Sequence, residues 1–565
     1  MKTRNRLYDK SRLRLLCLLT ALLGIFGAGQ IWAQTQPSGA GTQASPYQIA
    51  TAEELRWFAG LVNGTLEDGT SQNRAASAVL TADIDLSGEN WTPIGNYSAS
   101  TSLSYTGTFD GAGHTIRNLT VDNGSADYQG FVGYLGSGGA IQNLTLDETC
   151  TVSGGYYVGG VCGRNNSGTI TNCSNTGNVS GTGTGSDQVG GVCGYNSGTI
   201  TNCYNTGTVT GSYYVGGVCG YNSSINATIT NCSNTGTVSG NIQVGGVCGY
   251  NYNGTLTNCS NTGTVSGSKS VGGVCSCNHG ATITNCYNTG EVTGDSNVGG
   301  VCGYNYYSAT IENCYNTGSV SGSSPVGGVC GYNSNSTISN CYWLDTAYSG
   351  NGVGSGSGTN VASKTAEEFA SGVVTWLLNG SASENVSWYQ NLNNGQTVDE
   401  YPVLDSSHGI VYPIYDGEVA IGYNNIEVTY VDHSYENGFC QFCGGYQPAE
   451  KNESGVYEIT NAGQLFWFAA LVNGDTTHAE FDEQNAAASA VLTDDITIPE
   501  NYNWTPIGSE GSPYTGTFDG QGYTISGMKI DNADSYSGLF GNVTGAVKNF
   551  TVTGSITVSS GATGL

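Results

Sequence analysis

Charge is scarce in this chain. Asp, Glu, Lys and Arg make up 10% of its 565 residues, against roughly 25% in ordinary globular chains. A surface knitted from ion pairs is therefore excluded, and Asn, Thr, Ser and Tyr have to supply it. Basic residues are the rarest, 15 against 43 Asp and Glu, and six of the 15 lie in the first 14 positions. Beyond residue 33 there are 9 Lys and Arg against 42 Asp and Glu, a net of −33. That balance argues against nucleic acid and anionic membranes as partners. Only 5 His are present, at His114, His279, His408, His433 and His478. No His-Glu-x-x-His, no Gly-x-Ser-x-Gly and no phosphate-binding glycine loop occurs. No catalytic residue and no cofactor is assigned, and the chain reads as non-enzymatic. Apart from the N-terminus, no run of about 18 apolar residues exists, so the mature chain has no membrane span.

The N-terminus reads as an export signal. Lys2, Arg4, Arg6, Lys10, Arg12 and Arg14 precede an apolar run from Leu15 to Phe26, and a cleavage site follows Ala33. A secreted or cell-surface location is expected.

Repetition dominates what remains. Between Tyr156 and Asp345 one pattern recurs seven times. One copy reads Val215-Gly-Gly-Val-Cys-Gly-Tyr-Asn222, a short turn, then Thr228-Ile-Thr-Asn-Cys-Ser-Asn-Thr-Gly-Thr-Val-Ser-Gly240. The first cysteines (Cys162, Cys193, Cys219, Cys248, Cys275, Cys302, Cys330) are spaced by 31, 26, 29, 27, 27 and 28 residues. A period of that length means stacked coils. Gly, Asn, Thr, Ser and Val are poor helix formers, and the apolar pattern has period two: Val215, Gly217 and Cys219 on one face, Val218 on the other. The fold class is all-β, a parallel β-helix or solenoid, right-handed by default, with short capping helices. Each copy is expected to be a coil of two or three strands. At about 4.7–4.9 Å per coil, seven coils span roughly 30 Å.

Gly-Gly-Val-Cys-Gly, with Gly130-Phe-Val-Gly133 before it and Gly538-Leu-Phe-Gly541 after it, resembles the GLUG repeat. The resemblance spans most of residues 47–345 and 457–565. It implies kinship with large secreted surface proteins of Bacteroides-type bacteria and with repeats beside the protease domain of some immunoglobulin A peptidases. The protease motif itself is missing here.

Boundaries follow from composition: an export signal at 1–33, a linker at 34–46, an opening solenoid unit at 47–153, seven repeats at 154–345, and a Gly/Ser linker at 346–363. A small α+β spacer covers 364–450, and a second opening unit at 451–565 begins a solenoid that is incomplete. Thr51-Ala-Glu-Glu54 is a capping box before an amphipathic helix faced by Leu55, Phe58, Ala59 and Val62, expected to cover the first edge strand. Thr365-Ala-Glu-Glu368 opens a helix to about Leu378. The second unit repeats the first: Leu465–Asn473 echoes Leu55–Asn63, and Trp504–Gly508 echoes Trp91–Gly95. The abrupt end suggests part of a longer design.

Fourteen of the 19 cysteines fall at the two repeated positions. They read as buried thiols acting as small apolar residues, although disulfides between coils are geometrically open. Cys440-x-x-Cys443 with His433 reads as a local disulfide or stacked thiols pinning a loop, as a redox pair, or as half a zinc site for which Asp432 or His408 would have to fold back as the fourth ligand. Asp110-Gly-Ala-Gly113 and Asp519-Gly-Gln-Gly522 read as turns. Tyr195, Tyr221, Tyr250, Tyr304 and Tyr332 follow the first cysteine by two, and Tyr204, Tyr287, Tyr315 and Tyr342 follow the second by one. They form two exposed stripes suited to sugar rings or proteins, or they stack on one another and shield the turns.

Three functions remain open. The first is an adhesin-like module binding surface glycans or host or neighbour-cell proteins through the solenoid side. The second is a passive stalk in a larger surface protein. The third is a polysaccharide-active β-helix enzyme, for which the tract carries few charges.

Overall fold

The computed structural model describes residues 35–558, apart from 99–100, 184, 186, 381–385, 393–398, 416–418, 424–425, 432–434, 441–444, 477–478, 480, 482, 501, 510 and 534–536. The leader region lies outside the described residues. Two compact units divide at Thr365 and Ala366.

The first unit is an all-β parallel solenoid. One turn of it runs through Thr228–Thr230, Ser233–Asn234, Val238–Ser239, Ile242–Gly245 and Cys248–Tyr252. That is five short strands, not two or three, because Asn and Gly interrupt the chain every few residues. Each strand pairs in parallel with its equivalent in the next coil. Ile200, Ile229 and Leu256 share one file; Val209, Val238 and Val265 another; Cys193, Cys219 and Cys248 a third. All are buried. Burial of such a side chain contributes roughly 1.5–3 kcal/mol, but only when a neighbouring coil covers it.

The strict alternation expected at Val215–Cys219 is not followed. Val215, Val218 and Cys219 all point into the core. One strand ends at Gly216 and the next begins at Cys219, so Gly217-Val218 is a bend that resets the alternation. The bend is possible only without side chains. A Cβ on Gly216 would lie 2.0 Å from the Cys219 carbonyl oxygen, on Gly217 2.1 Å from that of Gly246, and on Gly220 2.5 Å from the Val189 nitrogen.

Asparagine holds the register. The Asn before each second cysteine is left-handed, with φ of 53° at Asn172, Asn202 and Asn231, a conformation Asn tolerates better than other side-chain-bearing residues. Its amide donates to the Asn one coil back: Asn202 to Asn172 and Asn231 to Asn202, both at 3.1 Å. Two further files are fully buried. Asn196 donates to Asn222 at 2.8 Å and Asn222 to Asn251 at 2.9 Å. Asn205 donates to Asn234, and Asn234 to Asn261, at 2.8 Å each. Asn205 and Asn234 also donate, at 2.8 Å, to the carbonyls of Gly207 and Gly236.

Both cysteine files are buried thiols without disulfides. In the second file the backbone N–H of Cys173 donates to the Cys203 sulfur at 3.4 Å, and Cys203 does the same to Cys232. Burial pushes the thiols of Cys162, Cys219 and Cys275 well up, so they remain neutral.

The opening helix Ala52–Asn63 has the capping box as read. Its Trp57 and Phe58 pack on Tyr47 of the first strand, and Phe58 also packs on Tyr105 and Phe109 and plugs the core. The edge strand Tyr47–Ile49 is met by the chain before it, with Gln48 N–H donating to the Ser38 carbonyl at 2.7 Å. At the other end residues 346–363 are not a linker. Val353–Ser355 and Thr359–Lys364 pair with Cys330–Ser334 and Thr337–Leu344 as a closing coil.

The second unit repeats the opening coils. Helix Ala462–Asn473 is capped by Asn461. Tyr457–Ile459, Ala490–Leu492, Thr517–Asp519 and Ala546–Lys548 stack in parallel. Asn473 bonds the Pro506 carbonyl and the Gly508 N–H, as Asn63 bonds Pro93 and Gly95. Before it lies a three-stranded antiparallel sheet, Tyr412–Tyr415, Val419–Tyr423 and Ile426–Val431. The single helix read over 365–378 is two, Ala366–Ala370 and Val373–Leu378, broken where Gly372 takes φ 88°.

These contacts set the cost of substitution. Gly217→Ala should lower stability by about 1–3 kcal/mol through overpacking. Asn234→Ala should cost about 1–3 kcal/mol by stranding buried amides. Asn231→Gly should cost less than about 1 kcal/mol, since glycine accepts the same φ. Denaturant titration of the three variants orders them, and an Asn234→Ala protein as stable as wild type contradicts the ladder's role.

Acid should also destabilise both units. The Thr115 N–H holds the Asp83 carboxyl below its ordinary value, and the Gln521 N–H does so for Asp519. A depressed folded-state pKa gives stability above the unfolded value, about 3.9, that is lost as pH falls through the folded value. Melting temperature should therefore fall as pH drops below about 4, and less steeply in Asp83→Asn.

An aromatic face with a missing rung

The first tyrosine file stands on the strands that begin at the first cysteines. Gly220 breaks alternation there, so Asn222 turns inward while Tyr221 lies half-buried at the surface. Tyr195 and Tyr221 stack with ring centroids 5.6 Å apart, and Tyr221 and Tyr250 at 5.0 Å, with planes within 6° and 4°. Each such pair adds about 0.5–1.5 kcal/mol beyond burial. Tyr304 and Tyr332 continue at 5.1 Å.

The file has two departures. At its start Arg164 replaces tyrosine, its guanidinium 5.5 Å from the rings of Tyr134 and Tyr157 and 4.8 Å from Tyr195. In the fifth copy Cys277 stands where Tyr is expected, between Tyr250 and Tyr304. That copy also carries Ser276 where the others have the last motif glycine, and its hydroxyl bonds the Ser270 carbonyl at 2.5 Å. Tyr306, from the next coil, leans over the gap. Its ring stacks on Tyr304 at 4.2 Å and on His279 at 4.5 Å. Its hydroxyl meets that of Tyr250 at 2.5 Å, and Tyr250 also bonds His279 Nδ1 at 3.1 Å. Tyr307 (70% exposed) and Tyr252 (36%) extend the cluster into solvent.

Beside the missing rung runs a groove of about 700 Å³. Tyr304, Tyr306, Tyr332 and Cys277 line it with Gln243, Lys269, Ser270, Asn297, Ser324 and Ser355. Lys269 is its one charged residue, and no carboxylate lines it. Burial pushes the Tyr306 phenol up to about 12 and the Cys277 thiol to about 11, and holds His279 below its ordinary value. At neutral pH the residues that line the groove carry the lysine charge alone.

The second file does not form a stripe. Tyr315 and Tyr342 are buried, at 1% and 4% exposure. Tyr287 lies face to face with Tyr315 at 5.1 Å. Tyr204 is exposed but stands alone, with Ser174 and Ser233 as its neighbours in register. Of the eight tyrosines read as binding residues, Tyr195, Tyr221, Tyr250, Tyr304 and Tyr332 share one face; Tyr204 and Tyr287 lie on another, and Tyr315 is withdrawn from the surface. Tyr306, Gln243, Asn297 and Lys269 were missed. The change from Gly-Tyr to Ser276-Cys277 in one copy was the available signal.

Asp110 and Asp519 are turn residues. Asp110 accepts the Ala112 N–H at 2.8 Å and Asp519 the Gln521 N–H at 3.0 Å. Cys440 is buried. His433 and Cys443 lie outside the described residues, as does Asp432. His408 bonds Asp399 at 2.5 Å. Among the described residues no group of three His, Cys, Asp or Glu is placed to hold a metal, and no helix is long and apolar enough to cross a membrane.

The glycines that cannot bear a Cβ recur at fixed places along the array, with Ser276 the exception, and that pattern has a counterpart in known proteins. Residues 154–321 are a run of six GLUG motifs. The family model, described as "The GLUG motif", matches 154–180, 185–210, 211–239, 240–266, 267–293 and 294–321. The chain is 38% identical over 166 residues to halomucin of Haloquadratum walsbyi, covering 28% of this chain and 2% of that protein. It is 31% identical over 161 residues to a protein of Evansella cellulosilytica provisionally described as a Gly-rich membrane protein, covering 28% of this chain and 18% of that one. The chain thus spans a small part of the length of both relatives. A crystal structure from Bacteroides ovatus, provisionally described as an immunoglobulin A1 protease, aligns with TM-score 0.33 and 21% identity over 65% of this chain and 94% of that one.

Arg164→Gln should cost the GLUG array about 0.5–2 kcal/mol through loss of the three ring contacts. Thermal denaturation against wild type checks this.

Proposed function

We propose that this is a non-enzymatic repeat protein of the cell exterior that binds glycans along the aromatic face of its solenoid. The observation that carries the reading is a tyrosine file in which Tyr195, Tyr221, Tyr304 and Tyr332 are partly exposed and Tyr250 is buried between them, beside a groove lined by amides and hydroxyls. Rings present flat apolar surface to the C–H faces of sugars, and amides exchange hydrogen bonds with their hydroxyls. Strand addition by a peptide is disfavoured in the groove wall, because Lys269–Gly272 is already paired on both sides. The chain's likeness to halomucin and to a protein provisionally described as a Gly-rich membrane protein supports a surface-associated setting.

A second reading is a passive stalk. It draws on the small share of each relative's length that the chain spans, 2% and 18%. The polysaccharide-active enzyme is the least supported: glycoside cleavage uses a pair of carboxyl groups, and none lines the groove.

Binding of the purified chain to mucin-type and plant glycans and to matrix proteins separates the readings. Tyr221→Ala, Tyr250→Ala and Tyr304→Ala combined should reduce glycan binding at least tenfold while the far-ultraviolet spectrum keeps its β signature. Binding that survives the triple change places recognition elsewhere, and no binding by wild type favours the stalk.

A further inference from the structure

We propose that the groove beside the missing rung selects an acidic sugar, whose carboxylate pairs with Lys269 while its ring rests on Tyr304 or Tyr332. This rests on the glycan-binding reading and assigns its substrate class.

The argument begins with what Cys277 removes. A tyrosine in that place would continue the stack from Tyr250 to Tyr304 and fill the surface. Cysteine leaves a recess, and Tyr306 roofs only one side of it by stacking on Tyr304 and bonding the Tyr250 hydroxyl. The resulting groove of about 700 Å³ lies within the range of small-ligand sites, about 300–1,000 Å³.

Charge then narrows the occupant. The repeat tract holds two cations, Arg164 and Lys269. Arg164 is engaged by three rings. Lys269 lines the groove with no carboxylate among the lining residues. The Tyr304 and Tyr306 phenols and the Cys277 thiol are pushed up and His279 is held down, so none of these four cancels or doubles its charge at neutral pH. The surrounding chain is strongly acidic. Within the repeat tract Lys269 is the one cation not already engaged by aromatic rings, and an anionic ligand gains there. Asp295 is exposed on the neighbouring coil, where Ser296 pairs with Lys269, and it penalises a second negative group. One carboxylate on one sugar therefore fits better than a polyanion. Gln243 and Asn297 supply amides, and Ser270 and Ser324 hydroxyls, for the remaining groups.

The test measures affinities of the purified full chain for sialyllactose and a galacturonate trisaccharide against neutral lactose and cellotriose. Wild type should prefer at least one acidic probe by about tenfold, as a charge-assisted hydrogen bond implies, and the two acidic arms separate a sialate from a hexuronate. Lys269→Gln should bring the acidic-to-neutral ratio to about one, and Lys269→Glu should invert it. Tyr304→Ala with Tyr332→Ala should weaken acidic and neutral probes together. An unchanged ratio in Lys269→Gln overturns the acidic assignment and leaves the glycan reading intact, provided the tyrosine variant loses binding. Equal or better binding of neutral probes by wild type overturns it as well. If wild type binds peptides and no oligosaccharide, both this inference and the glycan reading fail.

Discussion

A buried amide in a narrow solenoid has one place to find its partner, the identical amide one coil away. That constraint governs the rest of the first unit. Asn196, Asn222 and Asn251 each hand a hydrogen to the next, as do Asn205, Asn234 and Asn261. A slip of one residue would break every rung at once and leave polar groups buried without partners. The valine and isoleucine files supply the apolar driving force, but they tolerate small shifts. The amides do not, so they set the register to which the apolar files conform. Close approach of the backbone at Gly216, Gly217 and Gly220 leaves that register no room to drift.

The proposed binding site sits where the repetition lapses. Arg164, Ser276 and Cys277 break the consensus of their positions, Lys269 stands in a file where neighbouring coils carry Tyr213, Ile242 and Ser296, and Cys277 and Lys269 line one groove. The same coils that keep the interior uniform leave outward positions free to vary, because the stack does not depend on them. A repeat protein of this kind carries its specificity in exceptions, and its scaffold in the rule.

Much of this was legible in the sequence. The period, the composition and the doubled opening unit led to a parallel solenoid and to its capping box. Interior detail was less accessible. Alternation predicts side-chain direction only within an unbroken strand, so Val218 was placed on the wrong face once Gly217 bent the chain. The Asn ladder before the second cysteine was read, while the two inner ladders were not, because Asn beside Thr-Gly looks like an ordinary turn residue. Residues 346–363 look like a linker by composition, yet their Gly and Ser form the closing coil, where small residues are what the bend requires. Spacing alone could not tell the tyrosine file that lines a face from the one that ends in the buried Tyr315 and Tyr342.

The ends of the amide files differ from their middles. Leu135 and Leu146 stand before Asn165 and Asn175 in register. Trp343 follows Asn316, and the Ser357 carbonyl takes the last hydrogen from Asn333 at 2.7 Å. Interior rungs are interchangeable, and the terminators are not. Unequal recombination between copies can therefore add or delete a whole coil without disturbing either end, provided the exchange stays in phase. The array's length is in that sense a heritable dial, turned in steps of about 4.8 Å, and the distance it holds between its two ends can evolve faster than the fold that spans it.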